Sequence, residues 1–195
     1  MDNDITRADA LQLMQEWTES ESLRKHMLSV EAAVVAYARK FGADEEEWAI
    51  AALLHDLDYE RYPNPERDGT GHPYVAVAEL QKRGYPESIT HAVMAHADYT
   101  GVPRDTLLAR VLYGCDEVTG LITAAVLVRP DRDIAGLTLK SLKKKFKDKA
   151  FARGVNRDDV RRGAEELGAP LDEHMQFVLG AMQERAAELG LAGSE

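Results

Sequence analysis

The sequence predicts an all-α fold, a bundle of eight or nine helices, and three observations carry that prediction. Apolar residues recur at spacings of three and four along most of the chain. No segment shows the apolar/polar alternation of a half-buried strand. The periodic stretches are bounded by capping residues, Gly and Pro at the positions where helices start and stop.

The elements follow in chain order. Thr6 and Asp9 make a capping pair for a first helix that runs to about Thr18. A second helix starts near Ser22. Its apolar positions Leu23, Met27, Val30, Val34, Tyr37 and Phe41 form one stripe, and Gly42 ends it. Asp44 with Glu47 caps a third helix, EEEWAIAALLHDL, which is apolar on every side after Trp48 and should be the central buried element. Tyr59 to Gly71 is a loop by its Pro and Gly content. A helix from about His72 to Arg83 closes at Gly84. Pro86 opens the next, carrying ITHAVMAHA, and Pro103 opens a long one that continues to about Val128. After the loop RPDRDIAGL comes a basic helix, LKSLKKKFKDKAF. Asn156 caps another helix that stops at Gly168. Pro170 begins a last amphipathic helix, and the tail GLAGSE is expected to fray.

Composition bounds the function. The chain has 195 residues, 45% hydrophobic and 30% charged, as a globular domain should. Its formal net charge of −10 argues against nucleic acid as a partner, because a phosphate backbone repels such a surface. The single cysteine, Cys115, allows no internal disulfide and points to a reducing compartment. The opening MDNDITRADA lacks the basic and apolar regions of a signal peptide, and the longest apolar stretch is too short to span a bilayer. The expectation is a cytoplasmic protein with no membrane partner.

The third helix raises the chemical question. Its apolar run AIAALL ends in His55, Asp56 and Asp58. A buried carboxylate without a partner costs several kcal/mol. A metal ion neutralises it and binds imidazole as well. One His-Asp pair cannot fill a coordination shell, so other helices must contribute. His26 lies on the edge of the second helix's stripe, His72 opens a helix after a Gly-rich loop, His96 ends AVMAHA, and Asp116 interrupts the apolar run LLARVLYGCDEV.

The ordered set His26, His55-Asp56, His72, His96, Asp116 resembles the H…HD…D signature of the HD-domain superfamily of metal-dependent phosphohydrolases. The resemblance covers roughly Leu23 to Leu121. The text after the pair, HDLDYE, departs from the HD-Ile-Gly of many relatives and is similar to a small bacterial branch. The resemblance implies an HD-like bundle around a central metal site, with a metal-binding core at 20–128 and a helical extension at 129–195 in one domain. It implies that His26, His55, Asp56 and Asp116 hold a first divalent ion, and that His72 and His96 hold a second with Asp56 bridging. Mn, Fe, Co, Ni or Zn suits such ligands. The implied reaction is hydrolysis of a phosphomonoester or phosphodiester, a nucleotide among the candidates, by metal-activated water. Dinuclear relatives include di-iron oxygenases, and an HD fold can also serve as a non-catalytic sensor.

Further candidates surround this set. Asp56 and Asp58 are the candidate catalytic carboxylates, Asp58 as general base or as a partner that orients a ligating histidine. Six lysines crowd 140–149 in an otherwise acidic chain, and Lys140, Lys144 and Lys147 share one helix face. With Arg24 they are the candidates to bind a small anionic, phosphorylated substrate. His91 is expected to be exposed or structural, His174 to be solvated on the polar side of the last helix, and Cys115 a buried thiol.

Overall fold

The computed structural model describes residues 5–193 of the chain. Residues 1–4 of the opening segment, and Ser194 and Glu195 of the expected frayed tail, lie outside the described residues. Those described form helices and turns, with one isolated bridge between Asp133 and Ala192. The all-α expectation holds. No described helix is long and apolar enough to cross a membrane. The chain divides into two compact units, Met1–Tyr113 and Gly114–Glu195. That boundary falls within one continuous helix.

The first unit begins with α1 (Arg7–Trp17). Thr6 accepts from the Asp9 amide while Asp9 accepts from the Thr6 amide, the reciprocal cap read from the sequence. Helix α2 (Glu21–Phe41) is capped by Ser20, two residues ahead of the expected start, and stops at Gly42 in a left-handed conformation. Asp44 caps α3 (Glu45–Leu54) by accepting from the Glu46 and Glu47 amides. Every residue of α3 from Trp48 on is buried, as its all-round apolar character requires. Ile50, Leu53 and Leu54 each contribute roughly 1.5–3 kcal/mol by that burial. Helices α1, α2 and α5 pack on α3.

Helix α3 is shorter than expected. It ends at Leu54, and tight turns carry the chain on, with Leu57 N–H donating to Leu54 O at 3.3 Å and Tyr59 N–H to Asp56 O at 3.1 Å. Helices α4 (Tyr74–Lys82) and α5 (Glu87–Ala95) follow and pack on each other. Helix α6 (Leu107–Leu127) starts four residues later than Pro103 suggested. The Thr106 hydroxyl accepts from the Ala109 amide at 3.2 Å, so Thr106 supplies the cap that Pro103 cannot.

The second unit comprises the rest of α6, α7 (Leu139–Lys147), α8 (Arg157–Glu166), α9 (Leu171–Glu184) and α10 (Ala186–Leu189). Helix α7 stops at Lys147, short of the expected Phe151, where Asp148 turns extended. The last expected helix breaks at Arg185, which yields α9 and α10 and brings the described total to ten α-helices. The tail is tied down as far as Ala192, which bridges to Asp133. Leu191 is 4% exposed, and its carbonyl accepts from the Ile134 amide at 2.8 Å.

Backbones meet closely between α6 and α8. A Cβ added to Gly163 would stand 2.6 Å from the Gly114 Cα. Gly180, inside α9, faces open space. The two glycines should therefore respond oppositely to Ala in urea unfolding. Gly163→Ala is expected to destabilise by about 1–3 kcal/mol through overpacking. Gly180→Ala should stabilise by roughly 0.5–1 kcal/mol by removing chain entropy.

Candidate metal centre

The turn that ends α3 builds the site. His55, Asp56 and Asp58 leave the most buried helix of the first unit together, and α2, the loop before α4 and the end of α5 supply further histidines. His55 is fully buried, and His72 and His96 nearly so. Asp56 keeps 13% of its side chain exposed and His26 24%, so solvent reaches the centre on their side.

All four imidazoles address one carboxylate. His26 Nε2 stands 3.7 Å and His55 Nε2 3.5 Å from Asp56 Oδ2. His72 Nε2 stands 3.5 Å and His96 Nε2 3.7 Å from Asp56 Oδ1. The residues thus form two groups of three able to hold an ion, His26/His55/Asp56 and Asp56/His72/His96, which share Asp56. The rings are edge-on to one another at centroid distances of 5.4 Å for His26–His55, 5.1 Å for His55–His96 and 5.0 Å for His72–His96.

Hydrogen bonds set which nitrogen faces inward. His55 Nδ1 donates to the Ala52 carbonyl at 2.7 Å, and His96 Nδ1 to the Val93 carbonyl at 2.5 Å. A carbonyl has no proton to give, so each Nδ1 carries the hydrogen and the neutral ring's Nε2 offers a lone pair. That lone pair confronts a carboxylate oxygen, and two acceptors repel unless a cation or proton lies between them. The separations suit a cation. Two ligand atoms each about 2.1 Å from a tetrahedral ion lie about 3.4 Å apart. The donor set, imidazole nitrogen with carboxylate oxygen, is that of a divalent transition metal.

Asp58 is fully buried. Its Oδ1 accepts from His72 Nδ1 at 2.8 Å and its Oδ2 from the Ala76 amide at 2.7 Å. Glu60, by contrast, is exposed and accepts from the Glu19 and Ser20 amides at 2.8 and 3.1 Å. Residues the sequence did not single out hold the His72 backbone. Its amide donates to Tyr62 O at 2.8 Å, and its carbonyl accepts from Asn64 Nδ2 at 2.9 Å and Tyr99 Oη at 2.5 Å. Gly71 lets the loop double back there, since a Cβ would meet Tyr62 O and Asn64 Cβ at 2.9 Å. The Asn-Pro and Asp-Gly turn signals of this loop foreshadow Asn64; nothing local foreshadows Tyr99.

The remaining candidates are placed as follows. Asp116 stands half-buried on the part of α6 that belongs to the second unit, and its carbonyl accepts from Thr119 Oγ1 at 2.7 Å. Its neighbour Cys115 is buried, and that burial, helped by the Asp116 charge, pushes the thiol well above its usual range. Arg24 donates from Nε to Thr18 O at 2.6 Å and from Nη2 to Gln15 O at 2.7 Å. It caps the C-terminus of α1, which its place beside His26 did not reveal. Lys140, Lys144 and Lys147 line, with Leu139 and Lys143, a groove of about 450 Å³ in the second unit. Lys143 is ion-paired with Asp172. His91 pairs with Asp105 at 2.9 Å. His174 corrects its expectation: it is fully buried, and Nε2 donates to the Gly114 carbonyl at 2.7 Å. That carbonyl lies sixty residues away, beyond the reach of helical periodicity.

Fold and site together define an all-helical protein whose first unit carries a histidine–aspartate cluster able to hold a metal ion. The chain belongs to the HD domain family, whose family model matches residues 23–121, a span that contains both groups of three and Asp116. Members of this family are generally metal-dependent hydrolases and typically bind divalent ions. No curated protein and no solved structure matches the chain.

The clamp on His72 has a titration signature. Burial, reinforced by the Asp58 charge, raises the Tyr99 phenol from 10.0 to about 12. The folded state thus holds a proton that the unfolded state releases. The stability this contributes is present below pH 10 and is lost as pH rises toward 12. The difference in 295 nm absorbance between the wild type and Tyr99→Phe should have its midpoint near pH 12; a midpoint near 10 would contradict the clamp.

Proposed function

We propose that the chain is a metal-dependent phosphohydrolase that cleaves a phosphomonoester or phosphodiester, a nucleotide among the candidates. One observation carries the reading: the Nε2 atoms of four histidines converge on the two oxygens of Asp56. His26, His55 and Asp56 would hold a first ion, with Asp116 assigned to it from the sequence pattern alone. Asp56, His72 and His96 would hold a second, with Asp56 as the shared bridge. When bound, such ions supply an activated water near neutral pH and polarise a phosphoryl oxygen.

The chain's own residues do the rest. The carbonyls of Ala52 and Val93 keep His55 and His96 in the tautomer that presents Nε2 to the centre. The apolar shell of α3 and α5 restricts water to the side of His26 and Asp56, where a small anionic substrate can enter. Asp56 would serve both ions, and Asp58 serves as a positioning group rather than a general base, since both its oxygens are engaged in the interior. Lys140, Lys144 and Lys147 are assigned to the remaining anionic oxygens of the substrate on charge alone. The proposal leaves Arg24 as a helix cap. A cytoplasmic location fits the single buried cysteine.

The test is turnover of a broad panel of phosphomonoesters, phosphodiesters and nucleotides by protein loaded in turn with Mn, Fe, Co, Ni and Zn. Hydrolysis is expected with at least one ion. The His55→Ala/Asp56→Ala double variant should lose bound metal and activity together, and Asp116→Ala should lower both. Folded, metal-loaded protein that turns over none of the panel would overturn the reading. So would two irons per chain that consume dioxygen in the presence of a carbon substrate.

A further inference from the structure

We infer that Asp58 is the positioning residue that decides whether the His72/His96 half of the centre holds an ion, so that the two halves differ in affinity by design of one carboxylate. The inference rests on the proposed metal reading and goes beyond it. It begins with an asymmetry. The outer nitrogens of His55 and His96 donate to backbone carbonyls, which any helical turn provides. The outer nitrogen of His72 donates to a side-chain carboxylate at 2.8 Å. A carboxylate acceptor raises the basicity of the ligating nitrogen and fixes the ring plane more firmly than a neutral one.

Asp58 performs a second task with its other oxygen. Helix α4 begins at Tyr74 behind Pro73, which offers no side-chain cap. The Ala76 amide in its first turn donates instead to Asp58 Oδ2 at 2.7 Å. A carboxylate is favoured at a helix N-terminus by the exposed amides and their dipole. The same group therefore starts α4 and aims His72. It stands two residues after Asp56, on the turn whose Tyr62 amide donates to Asp58 O at 2.8 Å. That turn binds the bridge, the aiming carboxylate and the loop to His72 into one rigid piece. His26, by contrast, is the most exposed of the four rings.

Asp58→Asn isolates the effect. The amide keeps the size of the carboxylate but offers one acceptor and one donor group in place of two acceptors. Whichever way it turns, its NH₂ meets either His72 Nδ1–H or the Ala76 N–H. Calorimetric titration of the metal-stripped full chain with Mn²⁺ reads the consequence. The wild type should bind two ions. Asp58→Asn should keep the affinity of the His26/His55 half and weaken that of the His72/His96 half by about 10–100-fold, and His96→Ala should give the same pattern. A general loss of structure would weaken both ions alike, and that outcome overturns the inference. Two unchanged affinities in Asp58→Asn overturn it as well, as does a wild type with one ion that ignores the substitution. A wild type that binds no ion at all overturns the metal reading itself.

A measurement on the unsubstituted protein guards against a variant that does not fold. Long-range ¹H–¹⁵N correlation of the metal-stripped wild type should show His72 protonated at Nδ1 and bare at Nε2. The opposite tautomer would contradict the role given to Asp58.

Discussion

One carboxylate placed among four imidazoles governs this molecule. Asp56 emerges from the most apolar helix of its unit, and each of its oxygens is faced by a pair of ring nitrogens at 3.5–3.7 Å. For His55 and His96 the carbonyls behind the rings forbid the tautomer that would donate to Asp56. A cation at the centre converts that repulsion into coordination. Without one, a protonated imidazole would have to serve, at a high desolvation cost for His55, which is fully buried. The surrounding architecture is arranged to hold these atoms still.

The holding is graded. His55 rides on the end of α3, inside the packed core, and needs only a carbonyl behind it. His96 ends α5 in the same manner. His72 comes from a loop, where no helix fixes its direction. It is secured instead by five groups: Asp58, Tyr62, Asn64, Tyr99 and the close-packed Gly71. Loop-borne groups must be immobilised by packing and hydrogen bonds if they are to act as precise ligands. The density of bonds at His72 follows from where it lies in the chain.

Much of this was legible in the sequence because it rests on local rules. The caps at Thr6, Asp44 and Asn156 follow from side-chain chemistry within three residues, and the central role of α3 follows from its all-round apolar surface. His26, His55, Asp56, His72 and His96 were named from pattern, and the structure gathers them around one carboxylate. What escaped the sequence depends on distant partners. Asp58 could face solvent or the interior on local evidence, and only the arrival of α4 eighteen residues later fills its second oxygen. Tyr99 reaches His72 across twenty-seven residues. His174 looked polar-facing until Gly114, with no side chain, opened a carbonyl to it. The ends of α3 and α7 and the start of α6 shifted by three or four residues because turns and caps beyond the periodic pattern set them.

The central claim is that ions, not protons, reconcile Asp56 with its histidines. Anomalous diffraction from crystals grown with Mn²⁺ or Zn²⁺ tests it most directly. The account predicts metal peaks flanking Asp56, one about 2.1 Å from the Nε2 atoms of His26 and His55 and another about 2.1 Å from those of His72 and His96. Crystals soaked in excess metal that show no peak beside Asp56, with a ring Nε2–H donating to either of its oxygens, would contradict it.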